Sequence, residues 1–215
     1  MRVLILVALA ALTVSAMGSE PLVQVEYTNP GLVPGHWTLE VHPDGSAHFK
    51  SQRGEAARDD GPGIEAPDVD RDFQLSPKFA RRIFSLAHRK KLFQMPCESH
   101  MKVAFQGTKK LAYTGPDGAG ACEFNYSKDA EIQSLGDDVI SVANTMVEGA
   151  RLQSLLQHDR LGLDHETEVL TEAAADGRAQ QIGSIHEILE RLADDESVLE
   201  RVRRRARALL NHAQD

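Results

Sequence analysis

Trp37, Leu39 and Val41 alternate with Thr38, Glu40 and His42, and a period of two predicts a strand with one face buried. Pro43-Asp44-Gly45 follows with turn chemistry: proline presets φ, aspartate caps its own backbone, and glycine accepts a left-handed conformation. A three-residue loop pairs His42 with Ser46, Val41 with Ala47, Glu40 with His48, Leu39 with Phe49 and Trp37 with Ser51. That register gathers the larger apolar residues on one face, whereas a two-residue loop mixes the faces. A lone hairpin is marginal, so more strands or a helix must cover it. Leu22 to Thr28 supplies a first strand through Val23, Val25 and Tyr27, and Val69, Arg71, Phe73 and Leu75 alternate as another. Val103 and Phe105 alternate with Lys102, Ala104 and Gln106. A Gly107-Thr108-Lys109 loop then pairs Phe105 with Leu111 and Val103 with Tyr113, which predicts a second hairpin. Residues 115–120 read as a loop, and Cys122, Phe124 and Tyr126 as a further strand.

Elsewhere the period is helical. Ser76-Pro77 is an N-cap followed by proline at the first helical position. Phe79, Ile83, Leu86 and Ala87 recur at helical spacing to about Lys91, with Arg81, Arg82, Arg89, Lys90 and Lys91 making the outer face basic. From Ser127 to about His158 runs a long helical stretch that Gly136 or Gly149 is placed to interrupt. Three shorter helical stretches follow, at about 164–175, 178–192 and 196–210. The expected fold class is therefore α+β: an antiparallel sheet of about five or six strands, covered on one face by two helices, with a C-terminal helical segment. The expected organisation is a signal peptide at 1–16, an α+β domain at 17–158 and a helical segment at 159–215. A charged, Gly- and Pro-containing loop at 52–68 is expected to be exposed and mobile.

The signal-peptide reading rests on Arg2, an apolar run from Val3 to Leu12, and small residues at Val14-Ser15-Ala16, with cleavage after Ala16 or alternatively Gly18. The run is short of the roughly 20 residues a bilayer span needs, and no later stretch is apolar enough for one. After cleavage the chain is expected to be exported and soluble, periplasmic or secreted, without a transmembrane segment. Net charge is −8, which argues against a nucleic-acid partner. Export also colours the two cysteines: Cys97 and Cys122 are expected to form a disulfide. A Cys97 nucleophile assisted by His100 is the competing reading, and an oxidising compartment disfavours it.

Chemistry is sparse. In the hairpin register His36, Glu40, His42 and His48 point away from the core, and imidazoles with a carboxylate are a possible ligand set for zinc. His158, Asp159, Asp164 and His165 cluster near a helix-to-helix turn, where capping and surface charge explain them. Asp68 to Asp72 begins like a calcium loop, but Phe73 takes the glycine position and Phe79 that of the bidentate glutamate. Asn125-Tyr126-Ser127 fits a glycosylation acceptor. The chain has no Gly-x-Ser-x-Gly, phosphate-binding loop, His-Glu-x-x-His or Gly-x-Gly-x-x-Gly. The last helix carries Arg201, Arg203, Arg204, Arg205 and Arg207, a basic face able to dock on another envelope protein.

The run from Trp37 to Ser46, the Leu75-Ser76-Pro77 helix start and the hairpin expected after it resemble small exported bacterial domains of unknown function, over about residues 22 to 150. The resemblance implies export and an α+β fold, and assigns no site. The leading expectation is an exported, non-catalytic binding or structural protein of the bacterial envelope. The alternatives are a metal-dependent hydrolase using the outer face of the 37–51 hairpin, and a docking module acting through the C-terminal helices.

Overall fold

The structure is a computed structural model that describes residues 20–52 and 67–212; the expected signal peptide and residues 53–66 of the expected loop lie outside these. Six antiparallel strands form one sheet in the order β4-β3-β2-β1-β5-β6. They are β1 (Leu22–Thr28), β2 (His36–Val41), β3 (Ser46–Gln52), β4 (Val69–Gln74), β5 (Thr108–Gly115) and β6 (Gly118–Phe124). The β2–β3 register is the expected one, with Leu39 opposite Phe49 and Glu40 opposite His48. Gly45 takes φ +88° at the turn, a conformation that costs glycine little.

Pairing across all six strands builds rows of inward side chains. One row is Arg71, Phe49, Leu39, Val25, Leu111 and Cys122, and the next is Val69, Ser51, Trp37, Tyr27, Lys109 and Phe124. Against this face lie α1 (Pro77–Arg89) and α2 (Ala130–His158), whose apolar residues join the same buried cluster. Ser76 caps α1 by accepting from the Phe79 N–H, and Asp129 caps α2 by accepting from Glu131 and Ile132. The basic face of α1 is more than solvated surface. Arg82 pairs with Asp138, Arg89 with Glu131 at 2.7 Å, and Lys90 with Asp129 at 2.6 Å, which ties α1 to α2.

The second hairpin is not where alternation predicts it. Residues 100–107 form no strand, and β5 pairs with β6 through a two-residue turn at Pro116-Asp117. Val103 and Phe105 are 36% and 60% exposed, so the expectation that they face the core is wrong. Leu111 and Tyr113 reach the core face opposite Cys122 and Gly120 instead. Tyr126 lies beyond the end of β6.

The long helix runs unbroken through Gly136 and Gly149. A β-carbon at Gly136 would stand 2.8 Å from the Lys109 side chain and 3.0 Å from the Phe124 ring, so glycine here is a close-approach site on the sheet. Beyond α2 come α3 (Leu163–Ala175), α4 (His186–Asp194) and α5 (Glu200–His212). The helix expected over 178–192 is shortened to α4. Residues 178–181 form a strap hydrogen-bonded to α2 rather than to itself: Gln180 N–H donates to the Ser141 carbonyl, and Thr145 Oγ1 donates to the Gln180 carbonyl at 2.7 Å. Apolar residues of α3, α4 and α5 belong to the same buried cluster as the sheet.

Both sheet edges are guarded. Gln94 donates to the Ala119 carbonyl on the β6 side. On β4, Arg71 turns toward the core side and pairs with Glu187 of α4 at 2.6 Å, an inward charge of the kind that blocks edge pairing.

Candidate functional site

Two regions compete as candidate sites, and the outer face of the sheet is the one the sequence points to. One cross-strand row there reads Asp72, His48, Glu40, Gln24, and its neighbour Asp70, Lys50, Thr38, Glu26, Lys110, Glu123. The side chains bind one another both along the rows and diagonally between them. His48 places Nδ1 2.7 Å from Asp72 and Nε2 3.2 Å from Asp70, Lys50 donates to Asp70 at 2.8 Å, and His36 lies 3.2 Å from Glu26. Hydrogen bonding to Lys50 holds the Asp70 carboxyl below its ordinary range. Of the four ligand candidates the structure brings Glu40 and His48 opposite one another. His36 stands four positions from Glu40, roughly 13 Å along an extended strand, and is engaged with Glu26 instead. Among the described residues no group of three or more His, Cys, Asp or Glu side chains is placed to hold a metal ion.

The second region is the end of the sheet where Thr28 of β1 faces both His36 of β2 and Thr108 of β5. The 29–35 loop and the 98–107 segment meet there through the Tyr27 hydroxyl, which accepts from Asn29 Nδ2 and donates to the Gln106 carbonyl at 2.7 Å. Among the described residues seven large apolar side chains are exposed, and five of them belong to these two stretches: Leu32, Val33, Met101, Val103 and Phe105. Single exposed apolar residues are commonplace, so it is their concentration in two neighbouring stretches that sets this end of the sheet apart.

Covalent and polar anchors hold this segment outside the sheet. The Cys97–Cys122 disulfide forms as expected, with S–S 2.04 Å, and ties its start to β6. Ser99 N–H donates to the Tyr126 carbonyl. Glu98 accepts from the Asn125 and His100 N–H groups, and these bonds, Asn125 first, lower its carboxyl pKa. The Asn125 side chain accepts from Gln106 N–H and donates to the Ala104 carbonyl.

Lys109, the first inward residue of β5, is 1% exposed. Its Nζ donates to the Asn125 carbonyl at 2.8 Å and stands 5.4 Å above the Phe124 ring. Burial lowers its pKa, against the opposing pull of Asp137 and Glu98. The sequence reading places this lysine in a turn and so misses it. The two-residue turn at Pro116-Asp117 was the available signal, because pairing outward from it turns Lys109 inward.

A second buried ion group joins α2 to α3. Arg151 lies 2.9 Å from Glu148 and 2.8 Å from Glu166. Burial, and then the hydrogen bond to Glu166, push the Glu148 carboxyl up to about 8, against the opposing pull of Arg151.

The arginine face of α5 is largely spent inside the molecule. Arg201 and Arg205 both bind Asp164, Arg205 also meets Glu168, and Arg203 and Arg207 pair with Glu200. Asp164 thus serves as a helix-to-helix clasp, and Asp159 caps the Leu161 N–H. No helix among the described residues is long and apolar enough to cross a membrane. No protein-family model matches the chain, and no curated protein is similar to it.

Proposed function

We propose that the protein is an exported, non-catalytic binding protein of the bacterial envelope, and that it binds through the apolar end of its sheet. The observation that carries this reading is the gathering of Leu32, Val33, Met101, Val103 and Phe105 in solvent at one end of the sheet. Export is supported by the apolar leader in the sequence and by the disulfide, which belongs to an oxidising compartment. The polar groups elsewhere support a scaffold. The outer-face ions bind one another along and between the rows, and Glu148, Arg151 and Glu166 are enclosed between helices.

The test is retention of material from envelope extract on the immobilised protein, compared with a Val103→Ser/Phe105→Ser variant of unchanged fold. Retention that the double substitution abolishes is the expected result. A parent protein that holds nothing above background, or a variant that holds as much as the parent, ends this reading.

A further inference from the structure

The chemistry of the partner can be narrowed, and the narrowing rests on the binding reading above. We infer that the apolar end of the sheet is a surface for the interface of an anionic phospholipid bilayer.

Charge is the first ground. The chain has 32 Asp and Glu among 215 residues and a net charge of −8, yet neither 29–36 nor 99–108 contains a carboxylate. Lys102 sits exposed between Met101 and Val103. Lys128 is exposed two residues beyond Tyr126, whose carbonyl holds Ser99. Neither lysine makes an ion pair among the described residues. The acids beside these stretches are engaged: Glu98 by the backbone N–H groups of Asn125 and His100, Glu26 by His36, and Asp129, next to Lys128, by Lys90. An acidic protein that presents an apolar, lysine-bearing end whose flanking carboxylates are all engaged complements an anionic, greasy boundary.

The backbone is the second ground. A segment entering a lipid interface must bring its own hydrogen-bond partners, since hydrocarbon supplies none. Here Met101 N–H donates to Ser99 Oγ, Val103 N–H to the Met101 carbonyl, and Gln106 N–H to Asn125 Oδ1. In the other loop Leu32 N–H donates to the Asn29 carbonyl and Gly31 N–H to Asn29 Oδ1.

The experiment is flotation of the chain from Met17 onward, which holds every described element, with vesicles of phosphatidylglycerol and phosphatidylcholine and with vesicles of phosphatidylcholine alone. The expected result is binding to the anionic vesicles, weakened by high salt. Val103→Ser/Phe105→Ser should bind at least about tenfold more weakly, because burial of apolar side chains of this size is worth that much. Lys102→Glu should weaken binding several-fold, and Leu161→Ser, 84% exposed in another part of the molecule, should leave it unchanged. Circular dichroism and melting temperature establish that each variant is folded. Failure to float with anionic vesicles, equal binding to both vesicle types, or full binding by the double variant each overturns the lipid assignment. If vesicles stay free while an envelope protein is retained in a Phe105-dependent manner, the partner is that protein and only the lipid assignment falls. If nothing is retained either, the binding reading falls with it.

Discussion

Two stretches of this chain carry the same period-two pattern and end in opposite environments. In β2 and β3, Leu39 and Phe49 face each other and are fully buried. In residues 101–106, Val103 and Phe105 alternate just as cleanly and stand in solvent, while Lys109, four residues beyond Phe105, is sealed in the core. Alternation states which residues share a face if a strand forms; it does not say whether a partner strand is present. The first stretch has a tight turn that delivers its partner at once. The second is held off by the disulfide, by Glu98 and by Asn125, and β5 takes β6 as its partner instead.

The difference is broken most severely from the buried side. Phe49→Ala should cost about 3–5 kcal/mol, the range for a large aromatic removed from a packed core, measured by denaturant unfolding. Next comes the bond that holds the displaced segment in place. Replacing Cys97 and Cys122 together by serine, a sequence separation of 25, should cost on the order of 3.5 kcal/mol. It should also speed amide exchange in residues 98–107 more than in β2 or β3. Equal protection in both stretches would mean that the disulfide is not what sets them apart.

How much was legible follows from where the decisive information sits. Residues 22–52 and the α1 start were readable because each rests on local chemistry: alternation, a Pro-Asp-Gly turn, a Ser-Pro cap. The disulfide was readable from cysteine count and expected compartment. The second hairpin was misplaced because Gly107-Thr108-Lys109 and Gly115 to Gly120 both have turn composition, and only long-range anchors choose between them. The four-residue outer-face candidate was legible as a face, since that follows from register, but not as a site. Which lateral neighbour each histidine takes depends on β1 and β4, through Glu26, Asp70 and Asp72. Glu148 and Glu166 were invisible because their pairing depends on how α3 folds back on α2.

Buried charge separates the two regions more finely. Between α2 and α3, the folded Glu148 carboxyl titrates near 8 against an ordinary 4.5. In that window the native state holds a proton that the unfolded chain has released, so stability falls as pH rises. Stability should therefore fall between pH 5 and pH 8, and Glu148→Gln should flatten this slope. In the sheet, the folded Lys109 ammonium loses its proton more readily than its unfolded counterpart, which makes stability rise as pH climbs toward 10.5. Lys109→Met keeps the stem and removes the charge, and should be neutral or stabilising by about 1 kcal/mol at neutral pH. A loss of several kcal/mol would show that the bond to the Asn125 carbonyl is what holds this end of β5.

The smallest expected effect is the most discriminating. Phe105→Ser removes an aromatic ring from the same alternating pattern as Phe49, yet at 60% exposure it loses little packing. Unfolding free energy should change by less than about 0.5 kcal/mol, as at ordinary surface sites, while binding at this end of the sheet should fall. Such a split between stability and binding is what an exposed side chain kept for contact must show. A destabilisation comparable with Phe49→Ala would instead place Phe105 in the core, and the contrast between the two stretches would disappear.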